Sequence, residues 1–254
     1  MNTFLRRLVP FLLLAAAVPA LADTPPADAP LTPAAPPARK WHDTAEASFV
    51  NTNGNSRTTT TSAKDSFSYD FSAATRLELE GGGLGTRSKG ENTAEQYYAR
   101  EKIQQNFTPR DYVFENYRWD KNRFADIANL QVVSVGLGRD LWKTKADLWT
   151  FEAAPGYLNE EFYHAPRRSV GTGRAYTRYS HDFTPTSKFS QDLEYIQSLA
   201  DKRDSRINTE TDLTTALSSH FSVKTSFIWK RANLPAPGIQ KDDEITSFAL
   251  LANF

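Results

Sequence analysis

The 254-residue sequence contains no cysteine. This excludes disulfides, thiolate metal sites and the modified N-terminal cysteine of a lipoprotein, and it suits a chain that crosses an oxidising compartment unfolded. Net charge is also lacking. Thirty Lys and Arg balance 30 Asp and Glu, so no overall field favours nucleic acid or an anionic surface. No long apolar run follows residue 22, and the mean hydropathy of -0.55 excludes a bundle of membrane helices. It does not exclude a membrane β-barrel, in which only alternate strand residues meet lipid.

At the N-terminus, Arg6 and Arg7 precede an apolar run from Leu8 to Val18 that stops at Ala20-Leu21-Ala22. Residues 1–22 therefore read as a secretory signal peptide, cleaved before Asp23. A membrane anchor needs roughly 20 apolar residues, and this shorter run contains Pro10 and Pro19. Residues 23–40 are rich in Pro and Ala, have little to bury, and read as a periplasmic tether. Residues 41–254 suit one all-β domain.

Period two dominates that domain. Leu77 and Leu79 alternate with Arg76, Glu78 and Glu80; Ile207, Thr209, Thr211 and Leu213 alternate with Asn208, Glu210 and Asp212. Phe221, Val223, Thr225, Phe227 and Trp229 lie opposite Ser222, Lys224, Ser226 and Lys230. Trp149, Phe151, Ala153 and Tyr157 share a face, and Pro155 between them predicts a bulge or a strand end. Cutting at turn signals gives about twelve segments, an even number suited to a bacterial single-chain barrel. They begin near Ala45, Thr58, Thr75, Gln96, Tyr112, Leu130, Ala146, Arg174, Lys188, Arg206, Phe221 and Ile245.

Connections alternate in length, as a transmembrane barrel requires when both termini are periplasmic. Short ones at 70–73, 108–111, 141–145, 184–187 and 218–220 separate longer polar ones at 86–94, 121–129, 159–173 and 232–243. A soluble lipocalin-like barrel or β-sandwich also alternates, but would have fewer strands and no such asymmetry. Aromatics at strand ends, namely Trp41, Phe71, Phe107, Tyr112, Phe124, Trp142, Phe183, Phe221 and Trp229, read as interfacial girdles. Thr246, Phe248, Leu250, Ala252 and Phe254 form one face of a last strand suited to addition at an open sheet edge, the kind of signal that barrel assembly machinery reads. The fold class expected is thus an all-β, transmembrane, antiparallel up-and-down barrel of about twelve strands.

Several segments in order resemble the YdiY-like family, salt-induced outer-membrane proteins classed as a domain of unknown function. They are Asn53-Gly54-Asn55-Ser56, Thr93-Ala94-Glu95-Gln96-Tyr97, Asp120 with Arg123-Phe124, and Gly136-Leu137-Gly138. Glu152 to Tyr157, Leu193-Glu194-Tyr195, and Pro237-Gly238 with Lys241 and Asp242 continue the match. The resemblance implies an outer-membrane barrel with no established substrate or reaction.

The expected lumen face carries Arg76, Glu78, Glu80, Arg100, Lys102, Arg118, Asp120, Arg174, Arg178, Asp192, Glu194, Glu210 and Asp212. Such charges either line a selective pore or pair with one another and fill a narrow interior. His42, His164, His181 and His220 show no Ser or Asp partner at matched depth on a neighbouring strand, so no catalytic residue is assigned. The acidic runs Asn159-Glu160-Glu161 and Asp242-Asp243-Glu244 lack the spacing of a calcium loop, and no metal or cofactor site is assigned. Arg87, Lys89, Arg167, Arg168, Lys202 and Arg203 are placed in outer loops, where they can pair with lipopolysaccharide phosphates. The partners expected are outer-membrane lipid, lipopolysaccharide and the assembly machinery, without nucleic acid. The function expected is a small channel or an envelope-maintaining protein, with a closed surface-loop scaffold as the alternative and an enzyme as the remotest.

Overall fold

The structure, a computed structural model, describes residues 39–52 and 58–254. The signal peptide, residues 23–38 of the tether and Asn53-Gly54-Asn55-Ser56 lie outside the described residues. Twelve strands follow one another: β1 (Trp41–Thr52), β2 (Thr58–Asp70), β3 (Thr75–Ser88), β4 (Glu91–Asn106), β5 (Asp111–Asn122) and β6 (Ile127–Lys143). Then come β7 (Asp147–Phe162), β8 (Arg168–Thr184), β9 (Ser187–Ser198), β10 (Ser205–Ala216), β11 (Phe221–Ala232) and β12 (Asp242–Asn253). Each strand pairs antiparallel with the next, and β12 returns to β1, closing an all-β barrel as expected. The closing seam is short, running from Thr44↔Asn253 to Ala47↔Leu250.

At one rim the hairpins reuse one device. A Ser or Thr hydroxyl accepts the backbone N–H three residues on, as in Thr75 to Ser72 (3.1 Å), Asp111 to Thr108 (2.8 Å), Asp147 to Thr144 (2.8 Å) and Phe221 to Ser218 (3.1 Å). Such local side-chain bonds favour a tight turn over a longer strand. Both β1 and β12 also reach this rim.

The opposite rim corrects the expected loop lengths. The segment 86–94 is a hairpin around Lys89 and Gly90, both at positive φ, and most of 159–173 belongs to β7 and β8. The reason is an inversion of polarity. In the upper parts of β6, β7 and β9 the inward residues are apolar, Leu130, Val132, Leu158 and Ile196, and all are buried. Their outward neighbours are Gln131, Asn159 and Gln197. Polar residues there face water from paired strand, so polarity alone misplaced the strand ends. Lower down the pattern is membrane-like, with exposed outward Val135, Leu137, Phe151 and Leu193. From Trp149 to Tyr157 the chain climbs roughly 20 Å at ordinary rise and tilt, close to the height of a barrel's apolar band.

Two further expectations change. Pro155 makes neither a bulge nor a strand end; it sits within β7, paired with Gly173 of β8, while the register toward β6 resumes unshifted on either side. Tyr112 is no girdle residue but faces inward, 3% exposed. Its ring lies over Gly138 of β6, where an added Cβ would come within 2.2 Å of ring carbons, so only glycine admits it.

Asp65, Glu101 and Glu115 break the outward pattern. They alternate with the inward-facing Lys64, Lys102 and Phe114 and stand among Ala45, Leu79, Ile103 and Val135. A lipid-facing carboxylate costs stability. Glu101→Leu and Glu115→Leu are each expected to raise the unfolding free energy in lipid vesicles by about 1 kcal/mol, read from urea titrations. Unchanged midpoints would show that lipid does not cover this wall.

Candidate functional site

The chemistry of the barrel is concentrated in its lumen, where period two delivers a charged residue from nearly every strand. One half is packed. Glu152 of β7, 1% exposed, accepts Arg174 Nη1 at 2.8 Å and Tyr112 Oη at 2.9 Å, and also Lys102 Nζ from β4. Arg174 gives its Nε to Glu194 of β9 at 2.6 Å. Glu194 also accepts Arg118 Nη1 at 3.1 Å and Asn208 Nδ2 at 3.0 Å. Arg118 lies on β5 and so reaches across the lumen, while its other nitrogens hold Asp120. Higher up, Glu160 accepts both Arg168 and Arg206 at 2.6 Å, and Arg168 also meets Asp204 at 2.9 Å.

The other half is less tightly covered, and exposure there is greatest at Arg100. Glu80 of β3 pairs with Lys64 at 2.8 Å and with Arg100 at 3.3 Å, yet the Arg100 side chain remains 38% exposed. Lys224 of β11 joins Glu46 of β1 at 2.6 Å and approaches Glu210 at 3.9 Å. Ser226 donates to Asp212 at 2.6 Å. The most accessible part of the lumen is therefore off-centre, along Lys64, Glu80 and Arg100 of β2–β4, whereas Lys224 and Ser226 of β11, like Phe114 of β5, are buried.

Of the lumen residues expected, the fold brings Glu80, Arg100, Lys102, Arg118, Asp120, Arg174, Glu194 and Glu210 into this network, whereas Arg76 pairs with Asp70 at the turn rim. The expected set missed Glu46, Lys64, Glu152 and Arg206. Three placements are corrected, and the first is Arg87, expected in an outer loop but part of β3 and paired with Thr59. Arg168 and Glu160, expected in loops, stand instead at the start of β8 and within the last residues of β7, on inward positions, and pair with each other. Arg203 remains in a loop, where its hydrogen bonds to Asp201 hold that carboxyl down at about 2.

The histidines also differ from expectation. His181 Nδ1 meets Asp147 at 2.7 Å, its register partner across β7 and β8, and Tyr179 donates to the same carboxylate at 2.8 Å. This pair is outward-facing at the turn rim, against the Phe183 ring. His164 meets Asp126 at 2.6 Å, and His220 meets Ser219 at 2.8 Å. Among the described residues no group of three or more His, Asp or Glu is arranged to hold a metal ion.

The family described as a protein of unknown function, DUF481, matches residues 45–254. The uncharacterized protein YdiY of Escherichia coli (strain K12) is 23% identical over 189 residues, covering 74% of this chain and 73% of that protein. Among solved structures, the NanC porin superposes with a TM-score of 0.53 at 10% identity, over 83% of this chain and 98% of the porin. An outer membrane channel from Pseudomonas putida F1 superposes with a TM-score of 0.51 at 9% identity, over 87% and 97% of the two chains. The fold is thus that of outer-membrane barrels.

Removing a buried acceptor shared by several cations leaves them uncompensated. Glu152→Ala should cost about 3–5 kcal/mol of stability, read as a lowered urea midpoint. Asp201→Asn, at an exposed loop pair, should leave the midpoint unchanged. Equal effects of the two would mean that the lumen network is not structural.

Proposed function

Because the chain belongs to the DUF481 family, whose description names no activity, we propose a function from the barrel itself: a narrow channel for small ions and polar solutes in the outer membrane. The observation that carries it is the partly exposed lumen face of β2–β4, where Lys64, Glu80 and Arg100 bring charges of both signs to solvent. Opposed charges in a narrow bore set up a transverse field that selects among passing solutes. The packed half narrows the bore and keeps its wall rigid, since Arg174 and Arg118 are each fixed by two carboxylates.

In this proposal residues 1–22 export the chain, residues 23–40 stay periplasmic, and the turn rim faces the periplasm. The assembly machinery inserts the barrel beside lipid. Arg87, Lys89, Arg167, Lys202 and Arg203 then stand at the outer leaflet, where lipopolysaccharide phosphates are available to them. Support of the envelope under osmotic stress is compatible with a passage this narrow. The barrel is not proposed to be an enzyme.

A second reading is favoured by one contact. The Arg118–Glu194 bridge at 3.1 Å crosses the lumen, as expected of a closed barrel that works through its surface loops.

Single-channel recording of the refolded barrel in planar bilayers separates the two. A steady small conductance is expected, with Arg100→Ala moving its preference toward cations and Glu80→Ala moving it toward anions. A folded but silent barrel would overturn the channel and leave the closed scaffold.

A further inference from the structure

At the loop rim the lumen opens into a small recess with both polar and apolar lining. Its floor is the Arg118–Asp120 pair, and one wall is apolar, made by Leu130, Val132, Ile196 and Phe162. The roof is the connection 233–241 between β11 and β12, which turns Pro235 and Ile239 toward the recess and leaves Ala236 5% exposed. That roof is anchored. The Asn233 backbone N–H donates to Ser205 O at 2.9 Å and its side chain to Ser205 Oγ at 2.5 Å, and Gly238 takes the left-handed φ of +84° that closes the turn from Ala236 to Ile239.

The cations around the recess are unequal. Arg118, Arg206 and Arg231 are each committed to a carboxylate. Lys230 of β11 forms no ion pair or hydrogen bond among the described residues. Asp120 and Asp243 attract it at longer range, while Arg118 and Arg100 repel it. Asp243, its register neighbour on β12, also lines the recess, at its exposed rim, and forms no ion pair with Lys230. An ammonium group without a close counter-ion, facing an apolar wall, leaves both charge and hydrocarbon unsatisfied.

We propose that this recess binds a small amphipathic organic anion, with its single anionic group on Lys230 and its hydrocarbon body against Leu130, Val132 and Ile196. A neutral apolar molecule would leave the ammonium unpaired, and a wholly polar anion would leave the apolar wall wet. The carboxamide of Gln96, which also lines the recess, supplies a neutral donor for the same anionic group. Binding here does not require the lumen below to conduct, so it stands or falls apart from the channel.

The test uses the full chain in lipid nanodiscs and calorimetric titration with phenylacetate and its neutral counterpart phenylacetamide, with empty nanodiscs subtracted. Wild type should bind phenylacetate saturably and roughly tenfold or more tighter than the amide, the discrimination a charge-assisted hydrogen bond provides. Lys230→Met should bring the two within about twofold of one another, and Lys230→Arg should keep the preference. Lys230→Gln gives the same readout if the Met variant does not fold. The isosteric Val132→Thr should weaken both ligands together. Absence of saturable binding, equal affinity for acid and amide in wild type, or a preference that survives loss of the Lys230 charge would each overturn the site.

Discussion

Arg174 donates to Glu152 through one nitrogen and to Glu194 through another, and the packed half of the lumen depends on this shared guanidinium. Its planar fork can satisfy two carboxylates at fixed angles, which a lysine ammonium cannot do with the same rigidity. From those two carboxylates the pairing spreads to Lys102 on β4, Tyr112 and Arg118 on β5, and Asn208 on β10. Strands distant along the wall are thereby tied together through the interior, in addition to the ladder that joins each to its neighbours. Charge in this interior is a structural material as well as a lining.

Much of this was legible in the sequence, because a barrel of this kind writes its fold in period two. The strand starts at Thr58, Thr75 and Phe221 coincide with those of the structure, and the alternation placed Arg100, Arg118, Arg174 and Glu194 on the inner face. The misplacements share one physical cause. Above the apolar band the strands stand in water, so Asn159 and Glu161 resemble a loop although Glu160 between them points inward to two arginines. Tyr112 opens a strand, as a girdle aromatic does, but parity turns it inward and Gly138 makes room for it. Which carboxylate meets which cation depends on chords across the lumen, and linear spacing does not record those.

Among the described residues, several of those that carried the family resemblance face the lumen. Glu152 and Glu194 hold the packed network, Asp120 and Gln96 line the recess above it, and Pro237-Gly238 belong to its roof. Gly136 and Gly138 admit the close approach of β7 and the ring of Tyr112. Tyr97, Leu137, Tyr157, Leu193 and Tyr195 of the same segments are exposed on the outer wall, so the match follows both faces of the strands.

The outer wall has a consequence of its own. Around β6 to β9 the boundary between apolar and polar outward residues is sharp, so this side fixes a definite hydrophobic thickness. Around β2 to β5 Asp65, Glu101 and Glu115 interrupt the apolar surface, and a bilayer meeting carboxylates there lowers its energy by thinning and admitting water. In the membrane proposed above, the lipid annulus would therefore be lopsided: thick and well matched against one flank, thin and wetter against the other. A barrel so covered would impose a local thickness gradient on its membrane.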